Sequence, residues 1–340
     1  MKKYLLPKDG KFYKANLHCH STISDGHLTP EQLKEEYMKR GYSIIAYTDH
    51  DIMIPHPELK DEDFLPLTGY EMEINAAEPS ESGSRKTCHM CFIALDESID
   101  KQVCWHREKY LFGNAISYRD RAKFDESLPD FEREYTPERI NEMIKRGREG
   151  GFFVTYNHPA WSLEDYRDYC SYKGMNAMEI CNYGCYCVGY EDYVPKIYDE
   201  MLRGGQRIYC LATDDNHNYH PLNTPECDSF GGFTMIKADK LEYKSITDAL
   251  VAGNLYASQG PEIYELYYED GEVIIKCSPA RRIYVNMSKR RIARQYAHDE
   301  PLTEAKFKID DECIYFRITV EDEKGRHANT IAYFIDDIKN

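Results

Sequence analysis

The chain has 340 residues, of which 42% are hydrophobic and 30% are charged, a balance typical of globular proteins. Its 43 Lys and Arg residues against 59 Asp and Glu residues give a formal net charge of −16. This charge argues against a broad nucleic-acid or anionic-membrane contact surface. The sequence has neither an apolar run long enough for a membrane span nor a signal-peptide pattern. Because twelve cysteines without an export signal indicate reduced thiols, we expect a cytoplasmic protein with no membrane partner.

Residues 12–260 alternate short apolar runs with amphipathic segments, which predicts parallel strands connected by helices in an α/β fold. The predicted strands are 13–19, 43–47, 88–94, 152–156, 177–181, 208–212 and 233–236. The predicted helices, marked by Pro at their starts or Gly at their ends, are 29–41, 136–150, 194–203 and 245–252. This alternation is compatible with either an open parallel sheet or a closed barrel.

Two further regions depart from this alternation. The segment 96–135 has weak periodicity and several aromatic residues, and an insertion of this length predicts a lid or binding loop. After residue 261 hairpin patterns replace the helices, with predicted strands at 263–268, 273–277, 282–287, 306–309, 314–320 and 328–334. We therefore expect a barrel or open-sheet domain at 1–260 and a small all-β sandwich at 261–340, packed as separate layers.

Histidine and carboxylate residues recur at the ends of the predicted strands. His18 and His20 are two residues apart, so both would project from the same side of a strand. The full set is His18, His20, Asp25, Asp49, His50, Glu71, His89, His158, Asp215 and His217. Because ligands bind where the carboxyl ends of parallel strands meet, this pattern predicts a metal site. Imidazole nitrogen and carboxylate oxygen suit zinc, iron and manganese.

The ordered motifs LHCHSTISDG, YTDHD, GYE, NHP and DNH resemble those of the PHP (polymerase and histidinol phosphatase) superfamily over residues 15–220. The resemblance implies a distorted (β/α)7 barrel with two or three metal ions at the carboxyl ends of its strands. Downstream, the segments AGNLYASQGPEIYEL, KCSPARRIYV and VEDEKGR resemble the tail of a carbaryl-hydrolase-like branch. In that branch an Ig-like sandwich follows the barrel, which agrees with the hairpin pattern.

The resemblance also implies which residues hold each ion. The implied ligands are His18, His20, Glu71 and Asp215 for the first ion, Asp25, His50 and His217 for the second, and Glu71, His89 and His158 for the third. Glu71 would bridge, and Asp49 would orient a ligating histidine or a water molecule. Strand spacing from His217 selects Asp215 and leaves its neighbour Asp214 as the reserve candidate. The expected catalytic residues are Asp49, Glu71 and His217.

The expected reaction is hydrolysis by a metal-bound hydroxide, with the ions also neutralising developing charge. The favoured substrate is a small phosphorylated molecule, which would make the protein a metal-dependent phosphoesterase. Two alternatives stay open: a carboxyl-ester, carbamate or amide hydrolase, and a non-catalytic metal- or carbohydrate-binding protein. Nucleic acid is expected only as a nucleotide or short oligonucleotide substrate, and the oligomeric state stays open.

Other polar residues near the motifs are weaker candidates for substrate chemistry. Each of three histidines could protonate a leaving group, although a solvated loop position is the simpler interpretation. These histidines are His27, His56 and His220. Four basic residues could bind a phosphate, although solvated surface charges are again the simpler interpretation. These basic residues are Arg85, Lys86, Arg119 and Arg121.

Overall fold

The computed structural model describes residues 2–81 and 83–339. Its first ten strands are β1 (Lys2–Tyr4), β2 (Lys11–Asn16), β3 (Ile44–Tyr47), β4 (Leu65–Asn75), β5 (Thr87–Ala94), β6 (Phe152–Tyr156), β7 (Ala177–Asn182), β8 (Tyr209–Thr213), β9 (Phe233–Ala238) and β10 (Leu255–Ser258). The later strands are β11 (Ile263–Glu269), β12 (Glu272–Ala280), β13 (Arg282–Met287), β14 (Ile292–Tyr296), β15 (Leu302–Lys308), β16 (Tyr315–Glu321), β17 (His327–Thr330) and β18 (Tyr333–Phe334). The fold is therefore α/β, and the C-terminal region that the sequence predicted as all-β consists of strands followed by one short helix, Ile335–Lys339.

The α-helices are α1 (Pro30–Met38), α2 (Pro137–Glu149), α3 (Tyr166–Tyr169), α4 (Tyr183–Cys187), α5 (Pro195–Arg203), α6 (Tyr243–Ala252) and α7 (Ile335–Lys339). Helices α1, α2, α5 and α6 confirm the four predicted helices. At the start of α1, Thr29 and Gln32 form a reciprocal capping box, and Gly253 ends α6 in a left-handed conformation (φ 72°). The sequence did not predict α3, α4 and α7, because four or five residues are too few for a periodic pattern. No helix among the described residues is long and apolar enough to cross a membrane.

One mixed sheet of fourteen strands forms the centre of the fold. Strands β2, β3 and β4 pair in parallel, β5 is antiparallel to both β4 and β6, and β6, β7 and β8 again pair in parallel. Beyond the ends of β2 and β8, an isolated parallel bridge joins Cys19 to Asn216. The backbone N–H of Asp215 donates to the carbonyl of His18 at 3.0 Å next to this bridge. The carboxyl ends of β2 and β8 are thus held together where several predicted ligands lie.

The C-terminal strands form two layers. A separate antiparallel sheet has the order β1-β11-β12-β15, so the N-terminal strand β1 belongs to it and not to the first domain's sheet. Strands β13, β14, β16, β17 and β18 instead continue the large sheet, because β17 pairs with β10 from Tyr256–Thr330 to Ser258–Ala328. The expectation that the two regions pack as separate layers is therefore wrong at this point. Without β17 the backbone N–H and C=O groups on one side of β10 would be left unpaired, and β17 supplies regular partners for them.

The packing around this junction is also continuous. One hydrophobic cluster contains Leu17, Leu65 and Ile236 from the first region together with Leu266 and Phe316 from the second. An ion pair joins the same regions, since the buried guanidinium of Arg317 on β16 donates to both carboxylate oxygens of Asp199 on α5, at 2.7 and 2.8 Å. The two regions therefore share a core, and the boundary near 260 stays a prediction.

The segment 96–135 contains one 3-10 helix, Gly113–Arg121. Three residues of the whole segment, Trp105, Leu111 and Ala115, pack in a small cluster with Ile23 and Ile52. These two isoleucines lie in the loops after β2 and β3. The side chain of Gln102 on the same segment accepts from the N–H of residue 53 and donates to the carbonyl of residue 51. The insertion is thus fixed over the loops that carry part of the predicted site, as a binding loop would be.

Candidate metal centre

All nine predicted metal ligands converge at one end of strands β2–β8. They are His18, His20, Asp25, His50, Glu71, His89, His158, Asp215 and His217. Seven of them lie in the loops that follow β2, β3, β6 and β8, whereas Glu71 lies within β4 and His89 lies near the start of β5. Because β5 runs antiparallel to its neighbours, its beginning lies at the same rim as the ends of the parallel strands. A bridge between His50 and Glu71 likewise places the residue after β3 beside the centre of β4.

The first group of potential ligands is fully buried and consists of His18, His20, Glu71 and Asp215. The Nε2 atoms of His18 and His20 lie 3.1 and 3.0 Å from Oδ1 of Asp215. The same atoms lie 3.3 and 3.4 Å from Oε1 and Oε2 of Glu71, respectively. The structure therefore brings together all four residues that the resemblance implies for the first ion.

The second group lies nearer the solvent and consists of His20, Asp25, His50 and His217. Oδ2 of Asp25 is 3.4 Å from Nε2 of His217 and 3.9 Å from Nε2 of His50. Nδ1 of His20 is 3.7 Å from Oδ1 of Asp25. The three residues implied for the second ion thus lie together, and His20 is an additional neighbour that the resemblance did not imply.

The third group differs in membership from the one implied. His50, Glu71 and His89 form a cluster in which Nδ1 of His50 and Nδ1 of His89 lie 3.1 and 3.2 Å from the two Glu71 oxygens. Nε2 of His158 lies beside it, 3.3 Å from Oε1 of Glu71 and 3.7 Å from Oδ2 of Asp215. Glu71 is therefore in contact with histidines of all three groups, which is the position that a bridging carboxylate needs.

The donor atoms of this cluster fit divalent cations. Four buried atoms of the cluster have no hydrogen bond of regular geometry among the described residues: Nδ1 of His20, Nδ1 of His50, Oε2 of Glu71 and Nε2 of His89. Buried polar atoms are rarely left unpaired, so each such atom calls for an explanation. An N- and O-donor set of this kind suits zinc, iron(II) or manganese.

Electrostatics favour the cation-binding form of Glu71 and His50, whereas the carboxylates around His18, His20 and His89 outweigh the effect of burial and raise the pKa of these imidazoles above its ordinary value. Burial alone would raise the pKa of Glu71, but His18, His89 and His50 hold it well below its ordinary value. Burial and repulsion by His20 lower the pKa of His50 to about 3, so its imidazole is neutral near pH 7. Because metal ligands must be ionised carboxylates or neutral imidazoles, both residues are ready to bind.

Sequence reasoning missed Glu179, which lies behind the ligands in β7. Its buried carboxylate accepts hydrogen bonds from Nδ1 of His18 at 2.7 Å and from the backbone N–H of His158 at 2.9 Å. It also accepts from Oγ1 of Thr213 at 2.6 Å and from Nδ2 of Asn182 at 2.8 Å. With Nδ1 of His18 committed as a donor, Nε2 is free to face the cluster as a lone-pair donor. An acidic residue inside the apolar strand AMEICN was the available signal.

Asp49 does not have the contacts expected of it. Its carboxylate accepts from the backbone N–H groups and hydroxyls of Ser21 and Ser24, at 2.8 to 3.1 Å. These bonds brace the turn between His20 and Asp25, and among the described residues Asp49 forms no hydrogen bond with a predicted ligand histidine. Four nearby donors of the turn compete for the Asp49 oxygens. Among the described residues it is the carboxylate of Glu179, and not that of Asp49, that accepts a hydrogen bond from a predicted ligand histidine, while the expectation that Asp49 orients a water molecule stays a prediction.

Of the two neighbouring candidates, Asp215 faces the cluster and Asp214 does not. The carboxylate of Asp214 accepts from the backbone N–H groups of Phe230, Gly231 and Gly232, at 2.7 to 2.9 Å, and from the hydroxyl of Tyr37. These bonds fix the loop before β9. The geometry therefore agrees with the choice of Asp215 made from strand spacing.

Replacing Glu179 by Gln should weaken metal binding by about 10–100-fold. The amide nitrogen of Gln would face donors that the second carboxylate oxygen now accepts, from His158 and Asn182. The affinity for Mn²⁺ can be measured by chelator competition, with exposed Glu191→Gln as the matched control. An unchanged affinity in Glu179→Gln would show that this carboxylate does not organise the ligands.

The ligands open into a cleft of about 460 Å³. Its walls include Phe112 from the insertion, Trp161 after β6, and Tyr219 after β8. Among the three candidate general acids, only His220 lines this cleft. His56 packs against the ring of Tyr47, and His27 packs against the ring of Tyr219.

The candidate phosphate-binding residues lie outside the cleft lining. Lys86 pairs with Asp165 and Asp168, which belong to the start of α3. Arg119 donates to the backbone carbonyls of residues 107 and 108 within the insertion. Arg85 and Arg121 are likewise not among the residues that line the cleft. The structure therefore does not bring these four residues to the metal ligands.

Comparison with known proteins gives a partial picture. No family model matches the chain. A curated 5'-3' exoribonuclease of Haemophilus influenzae is 38% identical over 66 residues, which make up 18% of this chain and 24% of that protein. The matched part thus spans about a quarter of the length of this curated relative.

Several solved structures overlap more of the chain at low identity. A two-domain protein of Bacteroides vulgatus, containing a predicted PHP-like metal-dependent phosphoesterase, is 14% identical, with 98% of this chain and 97% of that chain covered and a TM-score of 0.45. A proposed metal-dependent phosphoesterase of Bifidobacterium adolescentis is 15% identical, with 62% and 89% covered and a TM-score of 0.37. An amidohydrolase of Chromobacterium violaceum, with bound sulfate and no metal, is also 15% identical, with 60% and 87% covered and a TM-score of 0.37.

The structural neighbours of the chain are thus a predicted PHP-like metal-dependent phosphoesterase, a proposed metal-dependent phosphoesterase and an amidohydrolase. Because these structures are only 14% or 15% identical to the chain, the PHP resemblance rests on the sequence motifs, and the resemblance of the tail to the carbaryl-hydrolase-like branch stays a prediction. With TM-scores below 0.5, the overlap does not define the reaction.

Proposed function

We propose that the chain is a metal-dependent hydrolase of the PHP superfamily in which the nine converging residues hold two or three divalent ions of zinc, iron or manganese. The observation that carries the proposal is the set of buried, unpartnered nitrogen and oxygen atoms that face one another in the cluster. Strands β2–β8 and the Cys19–Asn216 bridge support a distorted seven-stranded barrel around them. The two layers of C-terminal strands support an Ig-like sandwich at 261–340.

The favoured reaction is hydrolysis of a phosphoester in a small molecule. When bound, the ions supply positive charge to the scissile group and acidify water. The chain's own residues position two of the predicted ligands. Glu179 fixes the ring of His18 through a hydrogen bond, and the carboxylate of Asp228 accepts from the backbone N–H of His217 at 2.7 Å. His220 lies in the cleft wall, where its imidazole can hold a proton for the leaving group.

A second candidate is the hydrolysis of a carboxyl ester, carbamate or amide. The observation that favours it is the chemistry of the cleft, where no Lys or Arg occurs among the described lining residues. Such a lining suits a neutral scissile group, which needs no side-chain cation. A phosphoryl group would have its negative charge balanced by the ions alone. The same residues would bind the ions in either reaction.

Protein loaded with Mn²⁺ should hydrolyse members of at least one of three compound classes: phosphomonoesters, phosphodiesters and carboxyl esters. Asp25→Asn should lower the turnover by about 10³-fold, because it removes a charged ligand from the second group. Exposed Asp63→Asn is the matched control and should keep full activity.

The screen also separates the candidates. Turnover of phosphoesters supports the favoured reaction, and turnover of carboxyl esters alone would replace it by the second candidate. Stoichiometric metal binding without turnover of any class would favour the non-catalytic alternative.

A further inference from the structure

Three aromatic rings surround the outer face of the candidate metal centre. The ring of Trp161 lies 5.2 Å from that of His89 and 5.0 Å from that of His158, and 37% of this tryptophan is exposed. Tyr219 stacks on His217 with ring centroids 5.8 Å apart, and 60% of it is exposed. Large apolar rings that stay accessible beside a cluster of ligands are well placed to contact a flat apolar group.

Phe112 adds a third ring from a different part of the chain. It belongs to the insertion and lies 4.9 Å from the ring of His50. The neighbouring Asn114 holds this part of the insertion in place. Its backbone N–H donates to the carbonyl of Ser24, and its side-chain amide donates to the carbonyl of Thr22. The aromatic wall is therefore built on both sides of the ligands by separate segments.

The charges of the cleft lining are all of one sign once the histidines are left aside. Besides the ligand carboxylates, the described lining contains Glu73, Glu226 and Asp228, and it contains neither Lys nor Arg. Arg133 reaches the backbone carbonyl of Glu73, but its guanidinium is paired with the buried carboxylate of Asp51 at 2.5 Å. A second anionic group on a substrate would meet these carboxylates without a side-chain cation to balance it.

We propose that the cleft selects substrates whose only anionic group is the scissile phosphoryl group and whose remainder is an uncharged aromatic ring that lies against Trp161 and Tyr219. The inference rests on the proposed function and names the substrate class of the same site. It disfavours nucleoside bisphosphates, nucleoside polyphosphates and oligonucleotides, because each of these carries further phosphates along the acidic wall.

The aromatic part of the proposal can be tested by binding. Phenylphosphonate and methylphosphonate share the anionic group and differ in the ring, so Mn²⁺-loaded protein should bind the phenyl compound about tenfold more tightly in calorimetry. Trp161→Ala should remove this preference while keeping the affinity for methylphosphonate. Tyr264→Ala, which removes a ring that is 51% exposed in the C-terminal region, is the matched control and should keep the preference.

The charge part is tested with a pair of ligands that differ by one phosphate. Adenosine 3',5'-bisphosphate should bind about tenfold more weakly than adenosine 5'-monophosphate. Glu226→Lys should narrow this difference in affinity, because it replaces an acidic side chain of the cleft lining by a basic one. Tighter binding of the bisphosphate to the unmodified protein would overturn the proposal, as would equal binding of the two phosphonates.

The two levels of inference fail separately in these experiments. If the protein binds metal and shows the phosphonate and nucleotide preferences but hydrolyses no phosphoester, the proposed reaction is wrong and the recognition of the ring stands. If phosphoesters are hydrolysed without these preferences, the reaction stands and the proposed substrate class is wrong.

Discussion

Glu71→Gln should deprive the protein of more than one bound ion per chain and lower its hydrolytic turnover by about 10³-fold or more. Both oxygens of Glu71 lie among histidines: His18 and His158 on one oxygen, and His20 and His50 on the other. The glutamine keeps the shape of the side chain but loses its charge and one acceptor oxygen. Because one carboxylate faces all three ligand groups, its loss should affect several positions at once.

Elemental analysis after reconstitution with excess Mn²⁺ measures the bound ions, and turnover is assayed on the best substrate from the screen. Exposed Glu62→Gln serves as the matched control, since it makes the same chemical change away from the site. Circular dichroism of Glu71→Gln would show whether its fold is kept. A folded variant that retains the metal content of the control would refute the bridging role of Glu71.

Asp199→Asn should lower the free energy of unfolding by about 3 kcal/mol, one of the largest stability effects expected for a single residue outside the site. The guanidinium of Arg317 is buried and donates hydrogen bonds to the carboxylate of Asp199 and the hydroxyl of Thr319. Burial alone would lower the pKa of Arg317, but Asp199 raises it above its ordinary value, so the guanidinium stays charged. Removing the carboxylate would leave that charge in the interior without a counterion.

Urea denaturation of metal-loaded protein measures this effect. The double variant Asp199→Asn/Arg317→Met should be less destabilised than Asp199→Asn, because it removes the buried charge together with its partner. Metal content should be unchanged, since the pair lies away from the ligand cluster. Equal stability of Asp199→Asn and the unmodified protein would show that the pair does not hold the C-terminal strands against α5.

The clustering of the predicted ligands could be foreseen from the sequence because their positions depend on local structure. A histidine or carboxylate that follows an apolar strand lies at the rim where parallel strands end, whatever the strand packs against. His18, His50 and His158 follow β2, β3 and β6 in this way, and the structure brings them together around Glu71. The helices were foreseen for a related reason, since capping residues such as Thr29 act within one turn.

The positioning residues could not be foreseen in the same way. Glu179 and His18 are 161 residues apart, and their hydrogen bond depends on how β7 lies relative to β2. Asp49 was expected to orient a histidine or a water molecule, and its oxygens instead accept hydrogen bonds from the turn that carries Ser21 and Ser24, with no histidine among its partners in the described residues. A sequence pattern shows which side chains near a motif are polar, but it does not show which donor will form a hydrogen bond with which acceptor.

By itself the sequence determined an α/β fold with an all-β C-terminal region and a histidine- and carboxylate-rich site at the strand ends, because spacing along the chain controls which face and which end a side chain occupies. Only the tertiary structure decided that β10 pairs with β17 and that Arg317 reaches Asp199. It also decided that Phe112 and Trp161 line one acidic cleft without a lysine or arginine among its described residues. These features depend on contacts between segments that are distant in the sequence, and such contacts form only when the hydrophobic faces of the strands and helices pack against one another.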